Sequence, residues 1–201
     1  MPRAEVISRR RLLDDFFKVD EAEVRFERTD GTMTPPLRRL VFERGDSVAA
    51  VVLHRESGGV LLTEQFRFPT LGKGSGWLLE VMAGMIDTGE SPEDALRREI
   101  EEELGYRAGH VEPISTFFVS PGGSSERVWL YYAEVGDSDR VSEGGGNAAA
   151  NEEIRIVRLS RDEARAALRE GRLNDAKTIV GLQWLFARQR RRRYSTRRID
   201  R

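Results

Sequence analysis

Cysteine is absent from all 201 residues, which excludes disulfides and thiolate metal sites. Histidine is almost absent. His54 and His110 stand at strand or loop ends with no second ligand at a useful interval, and both read as structural. Long apolar runs are missing too, and none approaches the roughly 18 residues that a membrane-crossing helix requires. The opening stretch MPRAEVISRRRLLDD lacks the apolar core of a signal peptide, so a cytoplasmic protein is expected. At 39 % hydrophobic and 33 % charged residues, the expectation is a soluble, polar globule. Excess charge is small as well, at −1 overall. It is unevenly spread: Arg188 to Arg201 holds eight arginines and one aspartate, or +7, leaving −8 elsewhere. Such a tail could touch nucleic acid or an anionic membrane. No aromatic platform or phosphate loop accompanies it, so a solvated helix end is expected, with neither partner.

What the chain does hold is concentrated between residues 84 and 106. Gly84 is followed after five residues by Glu90 and after seven more by Arg98-Glu99-Ile100. Glu102-Glu103 and Gly105-Tyr106 complete the pattern. Ser91 suits a helix cap, Pro92 its first turn, and Glu93 and Asp94 its positive end. Leu96, Ile100 and Leu104 recur every four residues as an apolar stripe. Glu99 and Glu103 share that interval, so their carboxylates stack on one face, with Glu102 one turn from Glu99. Like charges so placed repel by roughly a few tenths of a kcal/mol per pair. Clustered hard oxygens of this kind suit magnesium or manganese. The plain alternative is a solvated acidic face, partly neutralised by Arg97 and Arg98.

The full spacing resembles the Nudix box, Gly-x5-Glu-x7-Arg-Glu-U-x-Glu-Glu-x-Gly-U with U apolar or aromatic, at every position. Seven fixed residue types coincide by chance about once in 10⁸ starting points, and the Glu and Arg richness here raises that by about two orders. The metal reading therefore outweighs the plain one. From about Arg10 to Ala187 the chain also resembles bacterial nucleoside diphosphate sugar hydrolases of the ADP-ribose and GDP-mannose pyrophosphatase kinds. Glu64-Gln65-Phe66-Arg67, Leu78-Leu79-Glu80, Ser120-Pro121-Gly122-Gly123 and Asn151-Glu152-Glu153-Ile154 carry that likeness, as does Gly181-Leu182-Gln183-Trp184-Leu185. Pro121, fifteen residues past Tyr106, matches a downstream proline associated with ADP-ribose, although GDP-mannose enzymes share the Ser-Pro-Gly-Gly turn.

The resemblance implies an α+β fold, an α/β/α sandwich around a mixed sheet, with an N-terminal antiparallel β module. Residues 1–45 would form that module and mediate a homodimer, 46–187 the Nudix domain, and 188–201 a basic tail. Glu99, Glu103, Glu152 and the carbonyl of Ala83 are the implied ligands of two or three Mg²⁺ ions, with Mn²⁺ possible. Glu102 is implied as a ligand or a group behind the ligands, and Glu90 as the partner of Arg98. Arg39 and Arg67 would receive phosphates and base, Phe16 would stack on the base, and Glu126 would contact the terminal ribose. The implied reaction is hydrolysis of ADP-ribose to AMP and ribose 5-phosphate. GDP-mannose or another nucleotide sugar is the alternative substrate, and a nucleotide-sugar-binding regulator without catalysis is the alternative class. One departure stands out. Related ADP-ribose enzymes have a glutamate two positions before the match to Glu152, where this chain has Ala150. That leaves Glu152, Glu153 and Glu143 as candidate general bases.

Local patterns agree with a layered α+β domain. Alternation over Glu21 to Arg28, the Asp30-Gly31 turn signal, and Leu37 to Phe42 predict an N-terminal hairpin-rich sheet. Ser47 to His54, Val60 to Gln65, Trp77 to Met82, Val111 to Val119, Val128 to Glu134 and Glu153 to Leu159 read as strands. Gly136 to Asn151 reads as a mobile loop, and helices are predicted from Ser160 to Arg169 and from Asn174 or Asp175 to about Arg190.

Overall fold

The structure is a computed structural model that describes residues 1–147, 149 and 152–196. The fold is mixed α+β, in two units: Met1–Asp46 with Phe118–Arg127, and Ser47–Phe117 with Val128–Arg201.

In the first unit β1 (Ala4–Asp14), β2 (Lys18–Phe26) and β3 (Leu37–Glu43) form an antiparallel sheet in that order. β1 is exposed along its whole length and its register slips twice against β2. Asp20 on β2 lies 2.5 Å from both Arg11 and Arg9, and these guanidiniums hold its carboxyl down at about 2. Between β2 and β3, Gly31 takes φ +82°, which is open to glycine and strained for other residues. The later segment 118–127 joins this unit through backbone bonds: Phe42 N–H donates to the Gly123 carbonyl, and Ser125 N–H to that of Phe42. That return was not legible in the chain.

The second unit is built around β4 (Ser47–His54), whose eight residues are all buried. A short apolar run free of polar alternation suits a strand covered on both faces. Val48, Ala50 and Val52 face one core, with Ala95, Leu96, Ile100 and Leu104. Ala49, Val51 and Leu53 face the other, with Ala164, Ala167, Leu182, Leu185 and Phe186. Helices therefore cover both sides of the sheet. β9 (Arg127–Val135) runs parallel to β4, and β8 (Val111–Phe118) lies beyond β9. On the other side β5 (Val60–Phe66) pairs with β4 only at Val52–Leu61 and Leu53–Val60, and it then carries β10 (Ile154–Leu159) on its far edge.

Past that short pairing, β6 (Trp77–Glu80) pairs with β5 and β7 (Met82–Met85) with β4. The single strand predicted over Trp77–Met82 is thus broken at Val81, whose N–H donates to the buried Thr178 Oγ1 at 2.8 Å. A hydrogen bond spent on a side chain leaves the sheet ladder, so the strand switches partners there.

α1 (Pro92–Glu99) starts as read, with Ser91 Oγ accepting from Asp94 N–H. It then widens into a π-helical turn at Ile100–Leu104 and stops at Gly105, φ +79°. A Cβ at Gly105 would lie 2.3 Å from the Ser142 carbonyl, so the position needs glycine for space as well. α2 (Arg161–Arg169) and α3 (Ala176–Thr196) follow. Asp175, not Asn174, caps α3 by accepting from Thr178 N–H at 2.8 Å. Ser160 and Glu163 exchange bonds in a reciprocal cap, with Ser160 N–H donating to Glu163 Oε2 at 2.8 Å. Ser160→Ala should therefore cost about 1 kcal/mol, read as a melting temperature lowered by roughly 2–4 °C.

The loop from Gly136 is held more firmly than its glycines suggested. Gly145 N–H donates to the Glu103 carbonyl and Gly146 N–H to that of Glu102, closing the described loop onto the end of the box. Gly144, Gly145 and Gly146 supply positive φ, at +68° to +102°.

Candidate active site

Glu90, Glu99, Glu102 and Glu103 gather where β7 meets α1 and its π-helical turn, and the charge of Glu152, on the loop before β10, reaches Glu99 and Glu103. Arg98 organises them. Its Nε and Nη2 donate to the two oxygens of Glu90 at 3.1 and 2.9 Å, a bidentate pair, and Nη2 also reaches the Met85 carbonyl at 3.0 Å. The Nη1 edge donates to Glu99 Oε1 at 2.7 Å and more weakly to Glu102 at 3.5 Å. One guanidinium thus fixes Glu99 to the loop that starts the helix.

Glu103 is the unusual member. Only 6 % of it is exposed, and its Oε2 has no hydrogen-bond partner among the described residues. Burial raises its pKa first, and the charge of Glu99 adds to this. Arg67 and a bond from the Ala83 N–H act the other way, Glu152 again upward, and the net result is about 8. Burial likewise pushes Glu99 up, although the Arg98 bond resists it. A buried acceptor without a donor costs about 1–3 kcal/mol. The π-helical turn carries this arrangement: Glu103 points into the interior while Glu102, its neighbour, stays exposed.

Gly84 sets the floor of the site. A Cβ there would lie 1.8 Å from the Glu99 carboxyl carbon, so the spacing of the box demands glycine for space and not for φ. Hard oxygens gathered in this way suit a divalent cation, and Glu103 Oε2, without a partner among the described residues, fits one directly.

Residues 43–180 match the NUDIX domain family. The chain belongs to the Nudix family. It is 37 % identical to the GDP-mannose pyrophosphatase of Pectobacterium atrosepticum, over 92 % of this chain and 94 % of that protein. It is 38 % identical to the ADP-ribose pyrophosphatase of Escherichia coli K12, over 90 % and 87 % of the two chains. The GDP-mannose pyrophosphatase of Cronobacter sakazakii is 36 % identical, over 92 % and 95 %.

Of the residues predicted for a Nudix site, Glu99, Glu103, Glu102, Arg98 and Ala83 come together as described. Glu152 is exposed on the loop and accepts from Asn147 N–H at 3.3 Å, and its charge acts on both Glu99 and Glu103. Glu153 is exposed beside it, just before β10. Glu143 is ion-paired with Arg140 at 2.7 Å. Ala150, the departure from related sequences, lies outside the described residues, as do Asn151 and the tail from 197. Arg188, the first tail arginine, is anchored: it pairs with Glu112 and lies over the rings of Trp184 and Tyr132.

Phe16, Arg39 and Glu126 belong to the first unit. Phe16 is exposed and meets Phe17 edge-on at 4.8 Å. Arg39 is exposed on β3, its Nη1 donating to the Arg38 carbonyl. Glu126 pairs with Arg44 at 3.6 Å.

Arg67 has a partner that sequence reasoning missed. Its Nε donates to the buried Glu80 Oε2 at 2.7 Å, while Lys177 reaches Glu80 Oε1 at 3.4 Å and Asp175 at 2.6 Å. Glu80 was quoted only as part of a resemblance. Its partners stand 13 and 97 residues away, so no spacing rule reveals them. The network aims Arg67 toward the acidic cluster, where its charge reaches Glu103.

Proposed function

We propose that the chain hydrolyses the pyrophosphate of a nucleoside diphosphate sugar, with ADP-ribose cleaved to AMP and ribose 5-phosphate. The observation that carries this reading is the buried Glu103 carboxylate, unpartnered at Oε2 and set against Glu99. Glu99, Glu103 and Glu152, with the Ala83 carbonyl, would hold two or three Mg²⁺ or Mn²⁺ ions. Such ions, when bound, neutralise pyrophosphate oxygens and make water a better nucleophile. Arg98 keeps Glu99 in place through its own bond to Glu90. Arg67 brings a positive charge for the departing phosphate, its side chain aimed by Glu80. Water adds to one phosphorus, the bridging P–O bond breaks, and the water's proton passes to a loop carboxylate. Glu152 takes that role ahead of Glu102 and Glu153, because its charge is close enough to act on both Glu99 and Glu103.

Phe16, Arg39 and Glu126 would supply base, phosphate and ribose contacts, and the exposed apolar residues Val6, Ile7, Leu12 and Leu13 of β1 would bury in a homodimer. The protein would act in the cytoplasm. GDP-mannose is the second substrate reading, favoured by the relatives of that name.

A product assay decides between these. With Mg²⁺, AMP release from ADP-ribose should exceed GMP release from GDP-mannose by at least about tenfold in kcat/KM, and chelation should remove both. Faster cleavage of GDP-mannose would keep the chemistry and change the substrate. Cleavage of neither would remove the hydrolase reading.

A further inference from the structure

At the other end of β4 from the acidic cluster, His54 closes the strand and is only 1 % exposed. Its Nε2 lies 3.1 Å from Asp137 Oδ1, yet the approach makes no hydrogen bond. On its other side Nδ1 accepts from Ser57 N–H at 3.4 Å and lies 3.2 Å from Ser57 Oγ and 3.6 Å from Glu56 Oε2. A ring nitrogen and one oxygen from each carboxylate all lie within 4.8 Å of one another. The ring is fixed by packing edge-on to Tyr106 at 5.8 Å.

We propose that His54, Glu56 and Asp137 form a zinc site separate from the Nudix cluster. Two donors each about 2.1 Å from a tetrahedral ion lie about 3.4 Å apart, close to the His54–Asp137 separation. Ser57 occupies Nδ1, which leaves Nε2 as the ligand. Zinc at Nε2 would move the ring proton to Nδ1, exchanging the bond from Ser57 N–H for one donated to Ser57 Oγ, the outer hydrogen bond that orients metal-bound imidazoles. An Nε2 lone pair then faces a carboxylate oxygen, an arrangement that a cation between them resolves. Glu56 also accepts from Asp137 N–H at 3.2 Å, so the two carboxylates are already drawn together. Asp137 and Glu56 are 76 % and 48 % exposed at the side chain, which leaves the remaining positions to water.

The surrounding charge favours a cation. Glu56, Asp137 and Asp139 gather around Arg55, which is committed to Asp139 at 2.5 Å and the Glu134 carbonyl. Imidazole with two carboxylates suits zinc, whereas the Nudix cluster, all oxygen, suits magnesium. A bound ion would staple the end of β4 to the turn after β9.

The chain's two histidines make the test direct, because imidazole ¹⁵N signals of His54 and His110 can be told apart by one substitution at His110. In excess Mg²⁺, which fills the oxygen cluster, Zn²⁺ should shift the His54 Nε2 resonance at one equivalent. Asp137→Asn and Glu56→Gln, both at exposed positions, should each weaken that binding at least about tenfold. Hydrolysis with Mg²⁺ should stay unchanged in both variants. Zinc should also raise the melting temperature of the native protein and not of Asp137→Asn. An unmoved His54 signal, or equal zinc affinity in native protein and variants, would overturn the proposal. So would an Nε2–H tautomer bonded to Asp137 and indifferent to zinc, which would make the pair an ordinary hydrogen bond.

Discussion

Glu103→Gln should lower kcat at least about 100-fold and, at the same time, raise the melting temperature of the metal-free protein. The two effects have one cause. Burial and the Glu99 charge move the Glu103 carboxyl from its ordinary 4.5 to about 8, so the folded protein holds a proton that the unfolded chain gives up. Its contribution to stability is complete below pH 4.5 and is lost as pH rises through 8. The slope is about 1.4 kcal/mol per pH unit for one proton. Metal-free native protein should therefore lose roughly 3 kcal/mol between pH 5 and neutrality. Glutamine is a neutral stand-in for the protonated acid, so the variant should lose this slope, keeping only what the raised Glu99 contributes, and be more stable than the native chain at pH 8. Both proteins should fail in acid together, where Asp20, held at about 2 by Arg11 and Arg9, is protonated. Adding Mg²⁺ should reverse the order, because the native chain gains the binding energy and the variant does not. Melting curves in chelator and in Mg²⁺, at pH 5 and 8, read all of this. A variant less stable than the native protein in chelator at pH 8 would mean that the carboxylate is not held against its own charge.

The part of this arrangement that was legible beforehand is the part written in short intervals. Gly84, Glu90, Arg98, Glu99 and Glu103 stand within twenty residues, and their spacing alone marked the candidate site. Likewise Ser91 and Ser160 announced their helices, because a cap bonds only three residues ahead. The six-residue apolar run from Val48 to Leu53 announced β4. What was illegible depends on distant partners. Val81 breaks a strand because Thr178 captures its N–H, and Glu80 is buried because Arg67 and Lys177 neutralise it. No window of local sequence contains both halves of either interaction. The π-helical turn at Ile100–Leu104 is hidden for a related reason. An i,i+4 stripe of Leu96, Ile100 and Leu104 stays buried whether the helix is regular or widened. His54 read as structural because one of its two carboxylate neighbours arrives from residue 137.

Gly84→Ala should separate the fold from the chemistry more sharply than any change to a carboxylate. The added methyl would sit 1.8 Å from the Glu99 carboxyl carbon and 2.0 and 2.2 Å from its oxygens. Contacts that short force movement, and the cheapest movement swings the Glu99 side chain away. Backbone displacement is costlier, since Gly84 pairs across β4 with Val48 and its neighbour Ala83 bonds Glu103. Glu99 would leave Arg98, now 2.7 Å away, and that guanidinium would keep Glu90. The expected loss of stability is therefore modest, about 1–3 kcal/mol as for other overpacked positions. Hydrolysis should fall at least about 100-fold, because a ligand displaced by an ångström no longer serves the reacting atoms. The fall should appear in kcat more than in KM, since the groups that would bind the nucleotide lie elsewhere in the chain. Gly89→Ala supplies the contrast. Its φ of +85° makes alanine strained, but nothing lies within 4 Å of the new methyl, so stability should drop by about 1–2 kcal/mol while kcat holds. Equal kcat in the two variants would show that Glu99 does not need to stand where Arg98 and Gly84 together hold it.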